Sequence, residues 1–262
     1  MDFNIDKIAS DYINKRFPLC SKAEKEKIIK DWKLKIKSSS YLAEDIVYRL
    51  GDLTNKKILD AGSGIGGLSI SLTKRGALVT GIDIEEDLFN ISLENSKHYN
   101  TQIDFVLYDG NKMPFGDSLF DYAISVSVLE HTEDPKLYIS EIFRTLKKGG
   151  KLYLSFPNRF WPKETHTQLW FISYLPLSIA NKLANLLGRN QMMENNVHFY
   201  SYFYINSLIS NLNKTLDYEI SIIKDKGKSE NFVKVFIKKF MNFLGINYKL
   251  FLSHIIIVVE KK

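Results

Sequence analysis

The chain has 262 residues, room for one domain with an insertion or a small cover, and its 45% hydrophobic content suits a globular protein with a sizeable core. Its net charge of +6 gathers in two lysine runs, residues 22–37 and 224–239, that lack the arginine and glycine interleaving of a nucleic-acid-binding segment. They read as solvated helix faces, with an anionic surface as the alternative partner. The single cysteine, Cys20, excludes a disulfide framework or a cysteine-based metal site within the chain, and no metal is expected. No uninterrupted apolar run reaches the roughly 20 residues of a spanning helix. The opening Met1-Asp-Phe-Asn-Ile-Asp lacks the form of a signal peptide, so a cytoplasmic protein is expected.

In chain order, residues 1–55 read as a helical cover. Helices are predicted over 5–17, 22–37 and 42–51, broken by Pro18 and by the loop-forming cluster Ser38-Ser-Ser40. Residues 56–156 alternate strand and helix. Strands are predicted at 58–60, 78–82, 103–108, 120–125 and 151–156, and helices at 67–75, 86–99 and 135–146. The rhythm breaks at 157–204, a cap rich in proline and aromatic residues. Residues 205–262 complete the sheet with a helix at 206–212 and strands at 215–223 and 253–260, the last β-branched and buried. The fold class is α/β: a Rossmann-like, doubly wound, mainly parallel seven-stranded sheet with N-terminal helices and a helical, aromatic cap.

The chemistry is concentrated in Ile58-Leu-Asp-Ala-Gly-Ser-Gly-Ile-Gly-Gly67. A short strand ends at Asp60, turns through glycines and opens a helix. Glycine serves there because the turn needs angles a Cβ blocks and because a ligand must approach the main chain. The helix N-terminus adds unpaired N–H groups and a positive dipole end. A nucleotide-like ligand is therefore expected. Gly62-x-Gly64-x-x-Gly67 has the dinucleotide spacing, and the electrostatics alone do not separate that ligand from others. Asp60, Asp83 and Asp109 end successive strands, where an open parallel sheet presents its ligand crevice. Asp83 is placed to accept ribose hydroxyls, and Asp109 either meets an adenine edge or caps a turn.

These residues resemble class I S-adenosylmethionine (SAM) methyltransferases of the ubiquinone/menaquinone-methylase-like branch (methyltransferase type 11). Residues 57–66 resemble motif I, Gly81-Ile-Asp-Ile84 motif II and Tyr108-Asp-Gly110 motif III. Met113–Tyr122, Ser127-Val-Leu-Glu-His131 and Leu146-Lys-Lys-Gly-Gly150 follow in the branch's order. The resemblance implies SAM as cofactor and S-adenosylhomocysteine as product. It places Asp60, Ala61, Gly62, Ser63 and Gly64 against the methionine part and ribose, and Asp83 on the ribose hydroxyls. Ile84 would pack on adenine, Asp109 and Gly110 would take the adenine edge, and Ser127 would sit near the methionine amino group.

For the acceptor, Asn158–Thr167 leaves the fifth strand at the crevice. His166 is the candidate base, Glu164 the residue that orients it, and His131 a further catalytic candidate. The alternative is a loop whose polar groups satisfy its own backbone. The pattern Pro157–His166 with Phe171–Pro176 also resembles methyltransferases of surface-polysaccharide and glycolipid synthesis. The expected reaction is methyl transfer to a hydroxyl of a small molecule, sugar or glycolipid. Carbon or nitrogen methylation of a quinone-like molecule is the alternative, and nucleic acid is not an expected partner. Trp170–Leu187 is strongly apolar and reads as a lid, a dimer face or a peripheral membrane contact, in a monomer or homodimer. A non-catalytic SAM-fold partner subunit and an NAD-dependent oxidoreductase are the readings from other classes. The expected downstream region holds no Tyr-x-x-x-Lys, which argues against the latter.

Overall fold

Adjacent strand residues feed two apolar layers on opposite sides of one sheet, as the two-residue period of a pleated strand dictates. In the computed structural model, which describes residues 5–16, 18, 21–164, 167–188, 197–212, 218–219, 243, 245 and 252–262, the strands are β1 (Lys57–Ala61), β2 (Leu78–Asp83), β3 (Asp104–Leu107), β4 (Phe120–Val126), β5 (Leu146–Pro157), β6 (Tyr218–Glu219) and β7 (His254–Glu260). The helices are α1 (Ile5–Arg16), α2 (Lys22–Leu50), α3 (Gly67–Thr73), α4 (Glu86–His98), α5 (Pro135–Thr145), α6 (Leu177–Leu186) and α7 (Tyr202–Leu212). Ile58, Val79, Ile124, Tyr153 and Ile256 pack beneath Ala43, Ile46 and Leu50 of α2 and Leu72 of α3. Their neighbours Leu59, Ala123, Leu152, Leu154 and Ile257 pack against Ile139 and Ile142 of α5 and Ile205 and Ile209 of α7. Each such side chain, once buried, contributes about 1.5–3 kcal/mol.

The strand order is β3-β2-β1-β4-β5-β7-β6. Pairs among β1 to β5 are parallel, and β7 runs antiparallel to both β5 and β6. The sheet is thus the seven-stranded, mainly parallel one expected. The chain leaves β1 toward β2 on one side and returns to β4 on the other. This reversal opens a crevice at the carboxyl ends of β1 and β4. Among the described residues, no helix is long and apolar enough to cross a membrane.

One predicted break does not occur. Ser38–Ser40 lies inside a continuous α2 of 29 residues, so two helices rather than three precede β1. Serine costs a helix interior only about half a kcal/mol per residue. The apolar face of α2 continues through the segment as Ala43, Ile46 and Leu50, and Arg75 Nη2 donates to the Ser40 carbonyl at 3.0 Å and hydroxyl at 3.1 Å. Packing outweighs local preference. The predicted strand 215–223 is described only at Tyr218–Glu219, and its other residues lie outside the described set.

The loop before β4 is fastened by one side chain. Arg144 donates to the Met113 and Phe115 carbonyls at 3.0 and 2.8 Å, to Asp117 at 2.7 Å, and as a fork to both oxygens of Glu141 at 2.9 and 2.7 Å. Glu141 in turn accepts from the Met113 N–H at 3.0 Å. The hydrogen bonds from Arg144, and then from the Met113 N–H, hold the Glu141 carboxyl below its ordinary range against the effect of burial. Arg144→Met should cost about 2 kcal/mol, the largely exposed Asp117 adding little. Differential scanning should read this as a fall of about 5 °C in Tm. Arg144→Lys should recover little of it, because lysine lacks the planar fork. A lysine variant that melts with the wild type would remove the fork from the account.

Candidate active site

The turn after β1 is held from three sides. The Gly62 and Ser63 N–H groups both donate to the Ile82 carbonyl, at 2.8 and 3.0 Å, tying the turn to β2. Gly62 has φ +80°, and a Cβ there would lie 2.2 Å from Val128 Cγ2. The loop leaving β4 therefore closes on the glycine itself. Gly64, at φ +53°, has nothing within 4 Å of where its Cβ would stand, so its main chain faces open space. That open cradle is the surface a ligand needs for close approach to backbone.

Asp60 lies beneath this turn, 3% exposed, and accepts from Ser69 Oγ of α3 at 2.5 Å. It fastens strand to helix more than it lines the crevice. The Ala61 carbonyl beside it accepts from the buried Tyr138 hydroxyl at 3.2 Å. Burial raises the Asp60 carboxyl from 3.8 to about 6, the Ser69 hydroxyl opposing and the Asp83 charge adding to the rise. The folded value exceeds the unfolded one, so the folded state holds this proton more tightly. Its contribution is full below about pH 4 and is lost as the pH rises through about 6. At about 1.4 kcal/mol per unit, the loss is about 3 kcal/mol. Urea titrations at pH 4, 5, 6 and 7 should show Asp60→Asn without this component of the slope. A slope equal to wild type would refute it.

Asp83 ends β2 at the crevice. Its carboxylate accepts from the Gly64 N–H at 2.8 Å and from the Glu85 N–H at 3.0 Å, leaving acceptor capacity on both oxygens. Ile84 follows with 61% of its surface exposed. A Cβ on Gly110 would stand 3.6 Å from Ile84 Cγ2, so Ile84 and the Gly110 main chain are neighbours. Together they form an exposed apolar shelf at the end of β2. Asp109 is exposed, and its two oxygens accept from the Asn111 N–H at 3.0 Å and side-chain amide at 3.1 Å, the turn-capping alternative. These bonds lower its pKa. Ser127 is exposed, held at φ +56° with its N–H on the Ser155 carbonyl at 2.8 Å.

Helix α1 reaches the same rim. Tyr12 donates its hydroxyl to Glu85 at 2.7 Å and stacks on Trp32 of α2. Lys15 pairs with Asp87 at 2.5 Å.

The segment after β5 returns to the sheet beside the crevice. Its His198 N–H donates to the Glu130 carbonyl at 2.7 Å, and the Arg159 N–H to the Tyr200 carbonyl at 2.9 Å. Between these ties lies a narrow cleft of about 10 Å³, room for about one water, lined by Glu130, Arg159, Trp161, Lys163, Glu164 and His198 among others. A second, wider cleft of about 180 Å³ shares Arg159, His198 and Phe199 and adds Leu175, Pro176, Leu177 and Tyr200. Glu164 is 5% exposed and its Oε2 accepts from the Thr167 hydroxyl at 2.8 Å and N–H at 2.5 Å. His131 is exposed at the end of the turn Leu129–His131. His166 lies outside the described residues. Sequence reasoning missed Glu130, Lys163 and His198 as cleft residues. Glu130, 1% exposed, carried one signal: a carboxylate beside the buried Leu129. Among the described residues, no group of histidine, cysteine or carboxylate side chains is arranged to hold a metal.

Sheet order, glycine turn and strand-end acid define a class I, SAM-dependent methyltransferase fold. Residues 59–154 match a methyltransferase-domain family, and the cofactor of such a domain is SAM. The open cradle at Gly64 and the exposed shelf at Ile84 fit that cofactor. The chain is similar to the ubiquinone biosynthesis O-methyltransferase of Coxiella burnetii, 35% identical over 41% of this chain and 46% of that one. It is also similar to the enzyme of the same name from Hydrogenovibrio crunogenus, 30% identical over 54% of this chain and 66% of that one. The aligned part spans under half the length of the first of these. A solved structure from Methanococcus maripaludis, taken to be a SAM-dependent methyltransferase, superposes with a TM-score of 0.58 at 20% identity, covering 100% of this chain and 96% of that one.

Proposed function

We propose that the chain is a SAM-dependent methyltransferase acting on a hydroxyl of a small, quinone-like aromatic acceptor. The observation that carries this reading is the juxtaposition of the glycine turn, with its open Gly64 and its Asp83 carboxylate, and a cleft that begins at Glu130, two residues beyond Val128. The named O-methyltransferase relatives support the hydroxyl and the quinone-like acceptor over carbon or nitrogen methylation.

SAM would supply an activated methyl group. The turn residues Asp60, Ala61, Gly62, Ser63 and Gly64 would shape the wall for its methionine part, with Ser127 opposite. Asp83 would hold the ribose hydroxyls, and Ile84 with Gly110 the adenine ring, Asp109 standing at its edge. The chain's own task is then alignment and proton removal. Trp161 and Phe199 would exclude water from the cleft. The hydroxyl proton would pass to a base of the segment around Glu164 and His166, or to His131 at the mouth. A sugar or glycolipid hydroxyl is the second reading, favoured by the aromatic and carboxylate lining of the same cleft. We further propose that residues 1–55 cover the core of 56–156, that 157–204 caps it and that 205–262 completes it. The exposed Trp170, Phe171, Ile179, Leu186 and Leu187 make that cap the surface for a dimer or a membrane, should either form.

The test is calorimetry with SAM and, separately, NAD, followed by transfer of labelled methyl to catechols and to nucleotide sugars. SAM binding with catechol methylation is the expected result. NAD binding without SAM binding would overturn the reading.

A further inference from the structure

Three basic side chains line the cleft and share a common situation. Arg159, Lys163 and His198 are each half-buried. Among the described residues, neither the Arg159 guanidinium nor the Lys163 ammonium has a carboxylate partner or a hydrogen bond from its charged end. The His198 ring stacks on Tyr200, centroids 5.8 Å apart, and Tyr200 stacks on Tyr204 at 5.4 Å. The acids on the same wall are Glu130 and Glu164. Both are buried, and Glu164 is engaged by Thr167. Elsewhere in the described structure, half-buried arginines are paired: Arg49 with Asp45, Arg75 with Ser40 and Ser71, Arg144 with Glu141. Taking a guanidinium partly out of water without a partner is costly, and an anion relieves that cost. Arg159, His198 and Phe199 also stand where the narrow cleft meets the wider one, whose wall carries the apolar side chains Leu175, Pro176 and Leu177.

We propose that the acceptor is an amphiphilic acid. Its phosphate or carboxylate is seated by Arg159, Lys163 and His198, and its apolar part lies along Leu175, Pro176, Leu177 and Phe199. This rests on the proposed methyl transfer for the word acceptor, but not for the anion site. Arginine gives a planar fork and lysine a movable point charge, a pair suited to an oxyanion with two or three oxygens. The anion fixes the acceptor's position, and its reacting hydroxyl projects toward the loop of Ser127 and Val128.

Hexyl phosphate, heptanoate, inorganic phosphate and hexanol are titrated by calorimetry into the full-length protein, its Arg159→Ala variant and its Lys163→Gln variant. Hexyl phosphate or heptanoate should bind at least tenfold tighter than hexanol, and the tighter of the two names the anion. Inorganic phosphate should bind more weakly than hexyl phosphate, because it leaves the apolar wall unused. Each variant should lose tenfold or more for the acids, with hexanol and SAM binding unchanged and Tm within a few degrees of wild type. Equal affinity for hexanol and the acids, or variants that bind the acids like wild type, would overturn the proposal. SAM binding without acid binding sinks this inference and leaves the methyltransferase reading standing. Acid binding without SAM binding does the reverse.

Discussion

Gly62→Ala should abolish SAM binding and destabilise the protein by about 3 kcal/mol. Two costs add. The residue sits at φ +80°, where a Cβ costs about 1–2 kcal/mol. The new methyl would meet Val128 Cγ2 at 2.2 Å and Cγ1 at 2.9 Å, and relieving such overpacking typically costs about 1–3 kcal/mol. The relief must push the β4 loop away from the β1 turn, and the crevice lies between them. Chemical denaturation with calorimetry separates the costs when Val128→Ala is added. The double variant should regain the steric share and keep the backbone share, so the two changes will not add. A double variant no more stable than Gly62→Ala would show that Val128 is not what the methyl strikes.

Asp83→Ala should weaken SAM binding by about a hundredfold and lower stability by at least as much as Gly62→Ala does. Hydrogen bonds to a charged group are worth about 1.5–3 kcal/mol each. Asp83 holds the turn through Gly64 at 2.8 Å and the start of the next helix through Glu85 at 3.0 Å, and the proposed ribose contact adds to these. Asp83→Asn keeps a carbonyl acceptor and should fall between. If both variants bind SAM within twofold of wild type, Asp83 serves the backbone alone.

The geometry of the candidate cofactor half was legible because it is local. Lys57–Gly67 holds strand, turn and helix start in one run, and Asp83 and Asp109 each end a strand whose apolar stretch is visible by itself. Parallel pairing then brings those ends together with no further information. Asp60 shows the limit of that reasoning. Its position was evident, but its burial under Ser69 was not, since that depends on how α3 lies across the turn. The cleft was less legible for the same reason. Glu130, Arg159, Lys163 and His198 belong to three separate stretches, joined by the His198–Glu130 and Arg159–Tyr200 backbone bonds. No periodicity encodes those bonds. The serine cluster of α2 misled because local preference there is weaker than the face it interrupts.

The tie between Arg159 and Tyr200 has a consequence for the history of such chains. It brings the two ends of a forty-residue excursion side by side, with Asn158 anchored through its N–H on Ser253 and its amide on Leu252. Closing a longer or shorter excursion across the same pair of ends changes the entropy by only about 0.6 kcal/mol per doubling of length. The stretch between them is therefore an exchangeable cassette. A descendant can replace it wholesale, and with it the molecule that is recognised, while the frame that holds the cofactor stays folded and unaltered.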